Sequence, residues 1–298
     1  MKPKVSIVIV NWNTLTLLKE CLNSIINNQS RPKVEDRLEV IVVDNGSTDN
    51  SVEFVRKFKI QNSKFKIILM ENKDNLGFAR ANNQGIEAAK GEYILLLNSD
   101  TIIKDKAISK TVEWMDQHPE VDVVGCKLLN PDGTDQKSVG QFPTLFNVFK
   151  MLFLDFVTGG WSMTSPDQSK PVDWIMGAFF MARSKCFEEI GGLDENIFMY
   201  MEEVEWCYRA KRENKVIYFY PGAEIIHLKG GSSKTGKTGP ILNIYKGLVY
   251  FYGKHMPKWK KAVVIFMLKL KAGGTWLIGM ISNNSYLKET YGKAYQLV

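Results

Sequence analysis

Four acids and one histidine in this chain stand where chemistry is expected. Asp100 ends "YILLLNSD", a run of five apolar residues from Tyr93 to Leu97 that turns polar at once through Asn98 and Ser99. A carboxylate beside a diphosphate repels it unless a divalent cation stands between them. Mg2+ and Mn2+ take oxygen ligands, commonly one or two carboxylates plus substrate phosphates, and stabilise a departing diphosphate as Lewis acids. The plainer role for Asp100 is to cap the helix that follows. "FMYMEEVEWCYR" supplies Glu202, Glu203 and Glu205. On a helix Glu202 and Glu205 share a face and Glu203 points elsewhere. A carboxylate facing a pocket can deprotonate an acceptor hydroxyl as general base, and the alternative is a set of solvated acids favoured by the helix dipole. His227 ends "AEIIH" and can ligate a metal, contact a diphosphate or serve structure. Asp44 follows "VIVV" and can accept the imide N–H of a uracil or thymine, or only cap its own turn.

These residues need elements to carry them. The first 130 residues alternate strand and helix patterns: strands at 4–10, 38–44, 66–70, 93–98 and 121–128, and helices at 14–28, 48–58, 77–90 and 104–118. Thr48 or Asp49 caps the second helix. Such alternation means βαβ units and a mostly parallel sheet, whose ligands bind beyond the carboxyl ends of the strands. The tips read "NWN", "DNGSTD", "ENKDN" and "NSD", and they crowd one rim. Asn11, Asn13, Asp44, Asn75, Gly77, Asn82, Asn98 and Ser99 are therefore the candidate nucleotide-binding residues. Gly77 precedes a helix start that can present amides to a nucleotide. Asn82 and Asn83 are poor helix formers, placed there for a ligand or as solvent-facing amides. Later the pattern is less regular. Residues 142–161 are aromatic-rich, 172–195 read as strand, short helix and Gly-Gly turn, and 201–214 as a helix. Residues 215–233 read as two strands around a Pro-Gly turn, and the tail from 238 as helical.

The composition is that of a globular protein: 298 residues, 45% hydrophobic, 24% charged. The net charge of +7 is uneven, because residues 229–298 hold twelve lysines and one acid, Glu289. A neutral-to-acidic body thus carries a basic tail, suited to nucleic acid or to an anionic membrane surface. Cys21, Cys126, Cys186 and Cys207 lie in apolar stretches without paired spacing and read as buried thiols in a reducing compartment. The opening apolar run is too short for a signal sequence. No stretch reaches ~18 uninterrupted apolar residues, so no ordinary membrane span is expected.

In order, "VSIVIVNWNT", "VVDNGSTDNS", "NLGFARANNQG", "LLLNSDT", "GAFFMARSKCFEEIGGLDENIFMYMEEVEWCYR" and "IIHLKGGSS" resemble glycosyltransferase family 2, in its bacterial rhamnosyltransferase-like branch. The resemblance covers about residues 4–255. It implies a GT-A fold: a Rossmann-like, mostly parallel α/β sheet flanked by helices, with a helical basic C-terminal extension. The implied domains are a catalytic unit over 1–237, divided into a nucleotide-binding half (1–130) and an acceptor half (131–237), and a helical region over 238–298 suited to membrane association. It implies inverting transfer from dTDP-rhamnose or a UDP-sugar to a glycan or polyprenyl-diphosphate-linked acceptor, with Mg2+ or Mn2+. No nucleic acid is involved, and the setting is the cytoplasm at the inner face of the cell membrane. By the same resemblance Asp44 recognises the base, Asn75 and Gly77 line the nucleotide, Asp100 and His227 hold the metal, and Glu203 is the general base, with Glu202 next in line. Two motifs depart from the family. The D-x-D motif reads Asn98-Ser99-Asp100, and the usual Glu-Asp pair reads Glu202-Glu203, one methylene longer. Two other classes compete. An oxidoreductase would carry G-x-G-x-x-G where this chain has "NWNTLT", and a non-catalytic nucleotide-sugar-binding relative would lack the acids.

Overall fold

The apolar runs of the first half are strands buried on both faces. In the computed structural model, which describes residues 2–28, 38–62, 66–154, 163–228 and 238–298, β1 (Val5–Asn11), β2 (Leu38–Asn45) and β4 (Tyr93–Leu97) are buried almost throughout. Their side chains alternate between two cores, as a period of two requires. Val5, Ile7 and Ile9 meet Leu18, Leu22 and Ile25 of α1 (Leu15–Asn27), Val55 and Phe58 of α2 (Ser51–Gln61), and Val112 of α4 (Ala107–Gln117). Val8, Ile41 and Leu96 face the other way, towards Ala79 and Ala81 of α3 (Phe78–Ala88) and Trp206 further along the chain. This makes three layers, helix on sheet on helix.

The strands run in parallel through β1, β2, β3 (Lys66–Asn72) and β4. Beyond β4 the sheet continues through β12 (Phe179–Arg183), antiparallel to both β4 and β6 (Val123–Leu129), and then β13 (Ile217–His227), parallel to β6. The short strands β5 (Thr101–Ile103), β7 (Asp135–Gln136) and β10 (Lys170–Pro171) pair antiparallel on this sheet. A small second sheet joins β8 (Val139–Gly140), β9 (Met163–Thr164) and β11 (Trp174–Ile175). One expectation changes: residues 217–227 form a single strand rather than two around a turn. Pro221 and Gly222 are absorbed where the register with β6 shifts between Tyr220 and Glu224, as proline inside a sheet is tolerated at a bulge. The second helix begins at Ser51, with Asp49 Oδ1 accepting from Ser51 N at 3.2 Å. The Lys229–Ser233 end of "IIHLKGGSS" and residues 155–161 of the aromatic segment lie outside the described residues.

The tail is helical as expected: after α5 (Leu145–Phe149), α6 (Ser184–Ile190) and α7 (Glu202–Arg212) come α8 (Thr238–His255), α9 (Lys258–Ile281) and α10 (Ser285–Leu297). These last three share a core of Tyr245, Leu248, Phe251, Val264, Leu268 and Ala294. By length and composition α9 is apolar enough to cross a membrane, with mean hydropathy 1.5. The expectation of no such stretch rested on uninterrupted runs, and Lys260, Lys261, Lys269 and Lys271 interrupt this one.

Helix α8 is fastened to α7 by charge. Glu205 is fully buried and accepts from Arg209 Nε at 2.9 Å, Lys254 Nζ at 2.8 Å and His255 Nε2 at 2.9 Å. Burial alone would raise its pKa. The Lys254 hydrogen bond, the Arg209 charge and the His255 contact more than offset this and hold the carboxyl below its usual range. Removing one partner of a buried ion network strands the others, at about 3–5 kcal/mol. Glu205→Ala is therefore expected to lower unfolding stability by about 3 kcal/mol or more, read from the urea midpoint. A change within experimental error would mean the network carries no net stabilisation.

Candidate active site

The strand register sets the rim. Asn11 is the β1 partner of Asp44 on β2, and Asn45 pairs with Asn72 on β3. The Asp44 carboxylate accepts from Asn11 Nδ2 at 2.8 Å and from Ser47 N at 2.8 Å, so it does cap its own turn. Each carboxylate oxygen keeps a further lone pair for a ligand. From Asn11 a hydrogen-bond chain crosses the rim: Thr14 Oγ1 donates to Asn11 Oδ1 at 2.6 Å and lies 3.1 Å from Ser99 Oγ. The tips of β2 and β4 are thereby one connected polar unit.

Several candidates are spent on the protein itself. Asn13, at φ 56°, accepts from Thr48 N at 2.7 Å and clamps the first tip to the second. Asn75 Oδ1 accepts from Asn45 Nδ2 and Gly77 N. Asn82 is buried and donates to Phe78 O; Asn83 is buried and ties α3 to Leu193 and Glu195. Neither is a solvent-facing amide. At Gly77, φ is 90° and a Cβ would lie 2.8 Å from Phe198 O, so the contact that demands glycine here is with the 198 loop.

Asp100 and His227 come together because β5 pairs with β13, with Thr101 opposite His227 and Leu228 N donating to Asp100 O at 2.8 Å. Asp100 is not a helix cap: Lys106 holds that position for α4. Both side chains are buried. His227 Nε2 stands 3.4 Å from Asp100 Oδ1 and 3.5 Å from Asn98 Nδ2. The other ring nitrogen, Nδ1, is 2.6 Å from Gln136 Oε1. The orientation of that amide is fixed, since Gln136 Nε2 donates to Asn130 Oδ1 and His227 O. Nδ1–H is therefore the donor, and Nε2 is left facing the acid. Asp100 Oδ1 and Asn98 Oδ1 are buried without hydrogen-bond partners. An orphaned carboxylate oxygen facing an imidazole nitrogen suits a divalent cation completed by phosphate oxygens. Among the described residues no group of three or more His, Cys, Asp or Glu is gathered, so the chain supplies part of such a shell.

Glu202 and Glu203 open α7 just after Tyr200 and Met201, two consecutive non-glycine residues at φ 68° and 77°. Backbone strain of this kind persists where the surroundings over-determine it. Burial, the Glu203 charge and a hydrogen bond between the two carboxyls push Glu202 well above the usual carboxylate range. Glu203 is raised by burial, held back by backbone N–H groups including Gly177, and settles at about 6. The Tyr200 phenol is raised by burial and by the neighbouring carboxyls Glu202, Asp100 and Glu203. Glu205 belongs to the structural network described above.

Sequence reasoning missed Gln136 and Tyr200. The turn "NPDGTD" after β6 was the available signal for Gln136, because it folds β7 back so that Gln136 pairs with Leu128. For Tyr200 there was none, since a left-handed tyrosine has no sequence signature.

A parallel sheet with an acid-lined rim, closed by antiparallel strands and a helix bearing paired acids, defines a GT-A-type α/β protein. The chain belongs to glycosyl transferase family 2, whose sequence model matches residues 6–208. It is 37% identical over 135 residues to Glycosyltransferase GlyG of Streptococcus pneumoniae serotype 4, a match covering 45% of this chain and 42% of that protein. It is 23% identical over 282 residues to the N-acetylglucosaminyl-diphospho-decaprenol L-rhamnosyltransferase of Mycobacterium tuberculosis, covering 88% of each. In fold it is similar to the mannosyltransferase PcManGT of Pyrobaculum calidifontis, solved with GDP-Man and Mn2+, at TM-score 0.60 and 17% identity, covering 100% of this chain and 85% of that one.

If Gln136 fixes the imidazole, Gln136→Leu should convert His227 from the Nδ1–H form to a mixture of tautomers. Long-range 1H–15N spectra of the ring read this directly, and an unchanged tautomer would assign the orientation to another group.

Proposed function

We propose that this chain transfers a sugar, with inversion, from a nucleotide-diphosphate donor to an acceptor hydroxyl, with Glu203 as general base. The observation that carries the reading is the orphaned Asp100 oxygen before His227 Nε2, with Glu203 raised to about 6 at the start of α7. Asp44, at the connected rim, would recognise the donor's base. Asp100, His227 and Asn98 would hold Mg2+ or Mn2+, which supplies Lewis-acid stabilisation of the departing diphosphate. Glu202, kept protonated by burial, is unsuited to accept a proton. Glu203, at about 6, is unprotonated near neutral pH yet basic enough to take the acceptor's proton. The acceptor oxygen attacks the anomeric carbon opposite the leaving diphosphate in one displacement. The rhamnosyltransferase relative favours dTDP-rhamnose as donor and a polyprenyl-diphosphate-linked sugar as acceptor, with UDP-sugars the next choice.

Glu203→Gln is expected to lower turnover by about 10²–10⁴-fold with donor affinity nearly unchanged. Wild-type turnover should fall as pH drops through about 6. Stability should move the other way: a carboxyl raised in the folded state adds stability below its unfolded value of 4.5, and that contribution is lost as pH rises through about 6. Full activity in Glu203→Gln would remove it from the mechanism. A wild-type protein that neither transfers nor hydrolyses any nucleotide sugar with Mn2+ would instead favour a non-catalytic binding relative.

The acceptor reading brings the enzyme to the inner face of a membrane, and α9 supports it. Trp259, Val263, Phe266, Leu270, Leu277 and Ile281 are exposed and recur at the spacing of a single helix face. At about 100° per residue, Lys258 and Lys269 flank this stripe on one side and Lys260 and Lys271 on the other. Opposite it, Val264, Leu268 and Ala272 are buried in the protein. A crossing orientation would put Lys269 and Lys271 near the bilayer centre at about 2.5–3.5 kcal/mol each, whereas an in-plane helix lets them snorkel to anionic headgroups. The protein should float with anionic liposomes at low salt, and Phe266→Glu with Leu270→Glu should abolish flotation. A wild-type protein left in the soluble fraction contradicts the in-plane docking.

A further inference from the structure

A second recess lies on the other side of the acceptor loop. Between residues 196–199, α8, the first turn of α9 and the end of α10 is a cleft of about 720 Å³, whose lining includes Phe198, Met199, Lys246, Lys254, Lys261 and Val298. Lys254 is already neutralised, by Asp194 at 2.5 Å and Glu205 at 2.8 Å, and Tyr250 Oη donates to Asp194 at 2.8 Å. Lys246 and Lys261 differ: among the described residues neither has an acidic partner. They come from two helices and converge on one recess, where like charges repel and the partly apolar walls weaken screening. A ligand carrying two or more negative charges turns that repulsion into attraction, and Lys ammonium groups are suited to phosphate as point charges. The half-exposed Phe198 ring and Met199 give the same recess an apolar wall. Cationic floor and apolar wall together match a diphosphate carrying a hydrocarbon chain.

We propose that this cleft binds the diphosphate of a polyprenyl-diphosphate-linked acceptor, with Lys246 and Lys261 as its cationic contacts and Phe198 and Met199 against the first isoprene units. The proposal rests on the glycosyltransferase reading and adds to it where the acceptor is held. The location suits the task. The loop that walls the cleft continues from Met199 directly into Tyr200, Met201, Glu202 and Glu203, and Met201 packs against Gly247 of α8. A sugar one linkage away from the diphosphate is thereby directed towards Glu203, while the donor's own diphosphate belongs at Asp100 and His227 across the loop.

The test uses farnesyl diphosphate and inorganic pyrophosphate as probes, titrated calorimetrically into the full chain in EDTA so that no metal recruits them to Asp100. Farnesyl diphosphate should bind, and the Lys246→Gln/Lys261→Gln protein should bind it about tenfold or more weakly. Asp100→Asn should leave its affinity unchanged. Inorganic pyrophosphate should bind more weakly than farnesyl diphosphate, since it lacks the chain that Phe198 meets. Exposed Lys246 can also be changed alone, and Lys246→Gln should show part of the loss with an unaltered melting temperature. No binding by the wild-type protein, or loss in Asp100→Asn with retention in the lysine variants, would overturn the assignment. Equal affinity for the two probes would overturn the lipid-linked identity and leave a site for soluble diphosphate. Failure of the glycosyltransferase reading shows separately, as absence of nucleotide-sugar turnover by the wild-type chain with Mn2+.

Discussion

Buried carboxyl groups cannot keep bare charge without relief, and Asp100, Glu202 and Glu203 each answer to that constraint. Each acid is relieved in a different way. Glu202 is relieved by a proton that burial and its neighbour keep in place. Glu203 is relieved in part by backbone N–H groups, among them that of Gly177. Asp100 is relieved least: one oxygen faces an imidazole edge and accepts no hydrogen bond. Similar side chains thus meet different environments, the condition under which carboxyl groups can take different roles.

Holding the acids this close needs rigid supports on both sides. On one side the polar chain from Ser99 through Thr14 and Asn11 to Asp44 joins the tips of β4 and β2. On the other, α7 is held along its back by Glu205, whose three hydrogen-bond partners include two residues of α8. Tyr208 of α7 packs edge-on against Phe251 of α8 with ring centroids 5.0 Å apart, so the ionic joint is backed by an aromatic one. The C-terminal helices therefore support the catalytic face directly. The strained Tyr200–Met201 link sits between this anchored helix and the acceptor loop, where the chain must turn sharply to present both glutamates.

Much of this was legible beforehand because it depends on local pattern. Continuous apolar runs with polar ends specify buried parallel strands and a shared rim, and Asp44 and Asp100 were placed on that rim by position, whereas His227 was joined to them only by the family resemblance. The less legible parts depend on pairing between distant segments. That His227 meets Asp100 follows from β5 lying against β13, and a three-residue strand gives little periodicity to read. The asparagines illustrate another limit. Asn13, Asn75, Asn82 and Asn83 have the right types for a ligand, yet their amides mostly tie loops and helix to one another. A side chain that stabilises a polar rim and one that reads a nucleotide use the same functional group. The base at 203 could be separated from Glu202 only by burial, which sequence does not disclose. The lysines of α9 read as a basic tail in one dimension, and they become a flanked stripe only when wound on a helix.

Gly77 meets Phe198 so closely that Phe78 N donates to Phe198 O at 2.7 Å, with no room for a Cβ between the two segments. The loop beside the donor rim and the loop that walls the second recess are consequently one mechanical unit. Displacing either segment must move the other. With a donor at the rim and an acceptor in the recess, as proposed, that backbone contact would couple two ligands that never touch the same side chain and favour ordered over random entry.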